Sequence, residues 1–215
     1  MLRTPTILTA LAATLALTAC ATGSFTGPIE VTRFAAPDTA ALGKGTIAVR
    51  FAREIENEGA LDAFRAAVSD ELALKGYTVI GNEETAEQIA TVDTSRNSLA
   101  GEQRGSPVDV GVGGGTGTFG SGVGLGVGIN LGSLGGGSSS PRVLSELSVA
   151  IASNAPGTVA RNLWEARAQF PTSVNSPYAP VAINAQTLAA ALFKDFPQGN
   201  GQTVSLDASE LVSPK

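Results

Sequence analysis

Residues 145–168, SELSVAIASNAPGTVARNLWEARA, decide the fold class of this chain. Up to Ile151, apolar residues alternate with polar or small ones, a pattern that predicts a strand with one apolar face. Residues 154–157, NAPG, have the composition of a turn. Alternation resumes behind the turn and predicts a returning strand over 158–170. The stretch therefore predicts a long antiparallel hairpin.

The returning strand has two different faces. One face carries Ala160, Trp164, Ala166, Ala168 and Phe170, and the other carries Arg161, Glu165, Arg167 and Gln169. We expect the first face to lie in the core and the second to face water. Trp164 is the only tryptophan, and on an apolar strand face we expect it in the core, not in a ligand platform.

Further strands and two helices surround the hairpin. Strands are predicted at 29–34, 46–51, 77–80 and 89–93, and an extension of the last strand to Ser95 is left open. A short helical turn is predicted over 83–88, and Val204 and Leu206 indicate a late edge strand. Helices are predicted over 58–75, with Leu61, Phe64, Val68 and Leu72 on one stripe and Gly76 as the stop, and over 184–196, with Asn184 as N-cap and Pro197 as the stop. Because strict βαβ alternation is missing, the sequence predicts an α+β fold. We expect a mostly antiparallel sheet with both main helices on one face.

A glycine-rich segment over 105–140 separates the hairpin from the preceding strand. Within it, residues 122–131 read GVGLGVGINL, with an apolar residue at every second position. We interpret the segment as a flexible insert between strands. A membrane hairpin over 108–132, which would need an oligomer to close a barrel, remains an alternative. Gly115, Gly117 and Gly120 match G-x-G-x-x-G, but the glycines that follow disfavour the helix a nucleotide site needs.

The N-terminal residues predict where the protein is located in the cell. Arg3 precedes an apolar run over 7–17 that is too short to span a bilayer as a helix, and residues 17–20 read LTAC. These residues resemble the lipobox of bacterial lipoproteins. The resemblance implies cleavage before Cys20 and acylation of that residue, and two or more acyl chains hold a protein firmly at a membrane. In a bacterium with two membranes, Ala21, where aspartate would resemble an inner-membrane retention signal, implies sorting to the outer membrane with the body in the periplasm.

Composition excludes several function classes. The formal net charge is −5 with no run of Lys or Arg, so we expect no nucleic-acid partner. Histidine is missing from the sequence, which excludes a Ser-His-Asp triad, and a single cysteine excludes an intrachain disulfide. We divide the chain into a signal peptide (1–20), a tether (21–28), one α+β domain (29–206) and a mobile tail (207–215).

Few residues suggest chemistry, and we predict no cofactor and no metal. Glu83, Glu84 and Glu87 form an acidic cluster with helical rather than calcium-loop spacing, typical of a solvated face. Glu146 and Glu165 lie on neighbouring strands of the hairpin and are the candidate pair for acid–base hydrolysis, although a surface position is the simpler interpretation. Tyr178 follows Pro177 and is predicted to be an exposed loop aromatic that contacts a partner.

The order of elements resembles a known family. A strand, a helix, a strand at 77–80, a Gly-rich insert, a hairpin with Trp on its second strand, and a helix ending in LFKDFP (192–197) follow one another over 29–197. This order resembles the bacterial lipoproteins of domain-of-unknown-function family 4136. The chain departs from that family at its NAPG turn and in continuing past Pro197. The resemblance implies a fold and an envelope location but no activity.

Three functional hypotheses follow from the sequence. The first is a lipid-anchored, non-enzymatic envelope protein that serves as a structural or interaction module for an unknown envelope partner. The second is an oligomeric pore or secretion component that uses the Gly-rich hairpin. The third is a periplasmic hydrolase based on carboxylates.

Overall fold

The computed structural model describes residues 23–99, 141–155, 157 and 159–214. These residues form β1 (Ile29–Ala35), β2 (Thr46–Phe51), α1 (Glu58–Leu74), β3 (Thr78–Ile80), β4 (Gln88–Leu99), β5 (Arg142–Ser153), β6 (Asn162–Ser173), α2 (Val181–Phe193), β7 (Asn200–Leu206) and a 3₁₀ turn (Ala208–Glu210). All seven strands belong to one sheet of order β3-β2-β4-β5-β6-β1-β7.

The sheet is mixed, so the prediction of a mostly antiparallel sheet is wrong, although the α+β class fits. β2 pairs in parallel with both β3 and β4, whereas β4, β5, β6, β1 and β7 pair antiparallel. Parallel neighbours need a crossover, and α1 supplies it between β2 and β3. The strand–helix–strand order of 46–80 is a βαβ unit, which the sequence interpretation did not recognise because the long hairpin dominated it.

The predicted hairpin is present as β5 and β6. Glu146 lies opposite Gln169 and Ile151 lies opposite Trp164 in an antiparallel ladder. Near the turn the register shifts, because Ala152 pairs with Asn162 and Leu163 is the extra residue of a bulge. β6 therefore begins at Asn162, later than predicted, and Ala160 is exposed rather than in the core.

Both helices cover one face of the sheet. They contact each other, with α1 against β2 and β3 and α2 against β6, β1 and β5. Trp164 is 1% exposed, stacks on Phe193 at 5.3 Å and meets the edge of Phe196 at 5.1 Å between ring centroids. The prediction that Trp164 is a core residue is confirmed.

α1 follows the predicted pattern closely. Asn57 caps its N-terminus by accepting a hydrogen bond from the Ala60 amide, and Phe64, Val68 and Leu72 are buried. The helix ends at Leu74, and Gly76 then adopts φ of +101°. A Cβ at that glycine would lie 2.6 Å from the Gly43 carbonyl oxygen, so both the dihedral and the contact require glycine.

α2 begins and ends three residues before the predicted positions. It begins at Val181 after Pro180, and Asn184 is not its N-cap. Asn184 is 2% exposed inside the first turn and donates from its side chain to the Tyr178 carbonyl oxygen. At the other end, Arg33 of β1 donates to the carbonyl oxygens of Ala191 and Leu192. These are the groups that a helix C-terminus leaves unpaired.

The chain beyond β7 packs back on the domain. Asp207 caps the 3₁₀ turn by accepting from the Ser209 amide, and Ala208 is 2% exposed. The Tyr178 hydroxyl donates to the Val212 carbonyl oxygen. These contacts hold part of the segment for which the sequence predicts mobility. Among the described residues no helix is long and apolar enough to cross a membrane.

Candidate functional site

Apart from a small apolar cluster that contains Ala48 and Ile89, the face of the sheet opposite the helices is mainly polar. We call it the open face; it carries Thr32, Asp93, Ser95, Glu146, Ser148, Glu165, Arg167, Gln169 and Thr203, whose neighbours across the strands face the same way. Glu165 and Arg167 are exposed, as predicted for the wet face. Gln169 is only 7% exposed, so the prediction for that residue is wrong. It lies between Glu30 on one neighbouring strand and Glu146 on the other, and its side chain is hydrogen-bonded to Glu146.

Glu146 is the best-defined polar group on the open face. The Ser95 hydroxyl donates to Glu146 Oε2 at 2.9 Å, and Gln169 Nε2 donates to Glu146 Oε1. The candidate pair of Glu146 and Glu165 does not converge. Glu165 lies opposite Ala150, four residues along β5 from Glu146, which corresponds to roughly 13 Å. The structure does not assemble the two-carboxylate arrangement that acid–base hydrolysis requires from these residues.

A shallow depression lies where β2 ends and the chain turns into α1. It has a volume of about 530 Å³ and includes three arginines, Arg50, Arg53 and Arg65, with Glu54, Glu56, Glu58 and Glu83 on its walls. Each arginine already has a protein partner. Arg50 lies 3.7 Å from Glu83, Arg53 donates to Asp93 at 2.6 Å, and Arg65 donates to the Val49 carbonyl oxygen at 3.1 Å. An anionic ligand here would have to compete with these partners.

The acidic cluster is solvated. Glu83, Glu84 and Glu87 are exposed, in agreement with the interpretation as a solvated face. Instead of the predicted helical turn, residues 83–85 form a non-helical turn in which Asn82 Oδ1 accepts from the Glu84 amide. Within the described parts of the chain, no group of three His, Cys, Asp or Glu side chains could hold a metal ion.

Tyr178 is a core residue, so its predicted exposure is wrong. It is 7% exposed, and its ring meets the edge of Phe170 at 5.9 Å. The loop between β6 and α2 folds back over the sheet, where Ser176 bonds to Thr26 and the Tyr178 hydroxyl reaches Val212. Tyr178 therefore packs between three segments of this domain, and its side chain is not exposed for contact with a partner.

Cys20 lies outside the described residues, but the chain that follows it enters the fold at a defined place. Phe25 donates its amide to Ser173 Oγ at 2.8 Å and accepts from the Ser173 amide, and Gly27 donates to the Pro171 carbonyl oxygen. The Arg142 guanidinium lies 4.4 Å from the Phe25 ring centroid. The sequence interpretation missed this contact. The only hint in the sequence is that Arg142, a cation, directly follows Pro141 at the start of a strand.

The Gly-rich segment joins the domain at the same place. Leu99 ends β4, Arg142 begins β5, and these two residues pair directly, while Arg142 also pairs with Ser173. We call this end of the sheet, which contains Phe25, Leu99, Arg142 and Ser173, the entry end. The whole predicted insert over 105–140 lies outside the described residues. This range includes the alternative hairpin over 108–132 and the three glycines Gly115, Gly117 and Gly120.

Comparisons with known proteins assign no family. No family model and no curated protein matches the chain. A PDZ domain protein from Parabacteroides distasonis ATCC 8503 is similar over 85% of this chain, which spans 38% of that protein's length, with 12% identity and a TM-score of 0.46. A PelC dodecamer subunit from Paraburkholderia phytofirmans is similar over 76% of this chain and 94% of its own, with 11% identity and a TM-score of 0.45. Neither likeness is close enough to transfer a function, and the resemblance to family 4136 stays a prediction.

Proposed function

We propose that this protein is a lipoprotein of the bacterial outer membrane, anchored through Cys20, with its domain in the periplasm as a non-enzymatic interaction module. The observation that carries the proposal is the motif LTAC at 17–20, in which the only cysteine of the chain follows a short apolar run. An acylated cysteine at this position places a lipid anchor five residues before Phe25, where the fold begins to hold the chain.

The open face supports the role of an interaction module. Its strands carry hydroxyl, amide and charged side chains, and Glu165 and Arg167 are exposed in the middle of β6. Polar surfaces of this kind suit reversible contacts, because partners exchange hydrogen bonds with water at modest net cost. We propose an envelope protein as the partner that contacts this face.

The anchor is tested by Cys20→Ala and by metabolic labelling with palmitate. We expect the wild-type protein to incorporate the label and to fractionate with the outer membrane. The variant should lose the label and appear in the soluble periplasmic fraction. Ala21→Asp is the matched control, because it leaves the cysteine intact. We expect it to keep the label but to move to the inner-membrane fraction. Membrane retention of an unlabelled Cys20→Ala protein would contradict the proposal.

The interaction role is tested by photo-crosslinking in living cells. A photoreactive residue at Arg167 probes the open face, and one at Leu74, which is 76% exposed on α1, probes the helical layer. We expect a discrete crosslinked product from position 167 and none from position 74. A product from position 74 alone would place the contact on the helices and remove the open face from the proposal.

A further inference from the structure

The direction of three chain segments fixes which end of the domain lies next to the anchor. β4 ends, β5 begins and β6 ends at the entry end, where Leu99 pairs with Arg142 and Arg142 pairs with Ser173. The N-terminal residues before β1, which we call the lead, lie beside these paired residues. Phe25 is hydrogen-bonded to Ser173 through both its amide and its carbonyl oxygen. The first described residues of the chain therefore contact the domain at the entry end.

The lead is too short to let the domain reorient freely. Four residues lie between Cys20 and Phe25, and the five residue-to-residue steps span at most about 18 Å when fully extended. Phe25 is fixed to the domain, because its backbone amide and its carbonyl oxygen are both hydrogen-bonded to Ser173. By contrast, the opposite end of the sheet lies about 40 Å away along the twelve residues of β5. We call that opposite end, with Ser153, Val159 and Asn162, the far end.

The charge of the entry end matches a phospholipid surface. The segments that build it, 23–28, 96–99, 141–145 and 170–178, contain two arginines and no Asp or Glu, whereas the whole chain carries a net charge of −5. Arg96 is exposed and is steered by a hydrogen bond to the Ala179 carbonyl oxygen at 2.8 Å. The nearest carboxylate along β5, Glu146, is already engaged by Ser95 and Gln169.

Apolar side chains accompany these cations. Val174 is 54% exposed, and Phe25 and Leu99 are half-buried at the margin of the sheet. Arginine beside aromatic and aliphatic groups is the composition of surfaces that lie in the headgroup region of a bilayer, where the guanidinium reaches phosphate and the apolar groups meet the acyl boundary.

We propose that the entry end rests on the phospholipid surface to which Cys20 is anchored. Arg96 and Arg142 contact lipid phosphates, and Phe25, Leu99 and Val174 lie at the headgroup boundary. This inference rests on the lipidation proposed above and adds an orientation to it. The strands stand away from the membrane, the far end points into the periplasm, and the open face is presented sideways to partners.

Two exposed valines provide a matched pair of probes. Val174 lies at the entry end and Val159, 93% exposed, lies at the far end. Because Cys20 is the only cysteine and its sulfur is acylated in the lipoprotein, Val174→Cys and Val159→Cys each create a unique free thiol. The full lipidated proteins are labelled with a nitroxide and reconstituted in vesicles of phosphatidylethanolamine and phosphatidylglycerol. Relaxation by oxygen, which enters lipid, is compared with relaxation by a water-soluble nickel chelate.

We expect the label at position 174 to show a raised ratio of oxygen to nickel accessibility, and the label at 159 to show the ratio of an aqueous site. Arg96→Gln should lower the equilibrium constant for the lipid-contacting orientation about fivefold, since a basic residue at an anionic surface contributes about 1 kcal/mol. Arg161→Gln, an exposed arginine before β6 at the far end, is its control and should leave the ratio unchanged.

The outcomes separate the two proposals. If the protein does not associate with the vesicles and carries no acyl chain, the lipidation itself is wrong. A vesicle-bound protein with an aqueous ratio at position 174 overturns the orientation and leaves the anchor intact. Protection at position 174 from both reagents in whole envelopes, combined with an aqueous ratio in vesicles, shows that a protein or the cell wall covers the entry end, and it also overturns the inference.

Discussion

The two faces of the sheet arise from alternate residues of the same strands, yet they have opposite physical roles. On β6, Trp164 is 1% exposed and Ala166 is 1% exposed beneath the helices, while Glu165 and Arg167 between them are exposed to water. Burial of apolar area stabilises the fold, so the covered face supplies most of the stability. The open face buries less apolar area beside these positions, so its exposed residues, Glu165 and Arg167, are available for contacts with other molecules.

The largest effect is expected from Trp164→Ala on the covered face. The substitution removes the ring that packs between Phe193 and Phe196 and leaves a cavity, so we expect a loss of about 3–5 kcal/mol in the free energy of unfolding. Urea denaturation followed by circular dichroism measures it, because the variant has no tryptophan fluorescence. Phe34→Ala on the open face, where the ring is 37% exposed, is the control. A similar loss from both variants would remove the distinction between the faces.

Arg33→Met tests the role of a buried arginine on the covered face. Among the described strands, Arg33 is the one buried cation. Arg33 is 6% exposed, and its loss removes the donor to the Leu192 carbonyl oxygen at the end of α2. The Ala191 carbonyl oxygen loses its 2.6 Å hydrogen bond and keeps only the Lys194 amide at 3.4 Å. We expect a loss of about 3 kcal/mol by chemical denaturation. Arg167→Met on the open face should change the free energy of unfolding by less than about 0.5 kcal/mol. Equal values for the two arginines would contradict the assignment.

Asn57→Ala tests whether the helical layer depends on its caps. Asn57 satisfies the Ala60 amide, and its removal should cost about 1 kcal/mol in the free energy of unfolding. Asn57→Asp keeps an acceptor at the same place and should be close to wild type. If the aspartate variant loses as much as the alanine variant, the cap is not the cause.

The sequence predicted the covered face better than it predicted the sheet order. Alternation in β5 and β6 identified the core side of the hairpin, because a period of two is decided by the strand itself. The parallel pairing of β2 depends on where α1 and the short β3 return, which local pattern does not encode. Residues such as Tyr178 and Gln169 were misplaced because a loop and two neighbouring strands bury them, and such cover comes from residues distant in the chain.

The candidate site shows the same limit. The prediction for Cys20 rests on a contiguous motif that resembles a lipobox, and such a motif can be read without knowledge of the fold. The entry end brings Phe25, Arg142 and Ser173 together from three separate segments, and no spacing in the sequence marks them. Arg33 stands out in the sequence only as a charged residue within the apolar alternation of β1. Its two carbonyl partners lie at the end of α2, far away in the chain, and could not be predicted from that pattern.

Glu71 on α1 tests what partial burial of a carboxylate costs at the margin of the helical layer. Burial raises the pKa of this carboxyl above its ordinary value, opposed by Lys75 and assisted by Asp70. Between the ordinary and the raised pKa the folded state binds more protons than the unfolded state, so stability falls as pH rises through that window. Glu71→Gln removes this decline, and its advantage over wild type should grow with pH above 4.5 and then level off. Lys75→Gln should enlarge the decline, because it removes the opposing charge. Urea denaturation from pH 4 to 7 measures both, and parallel curves for Glu71→Gln and wild type would show that burial does not penalise this carboxylate.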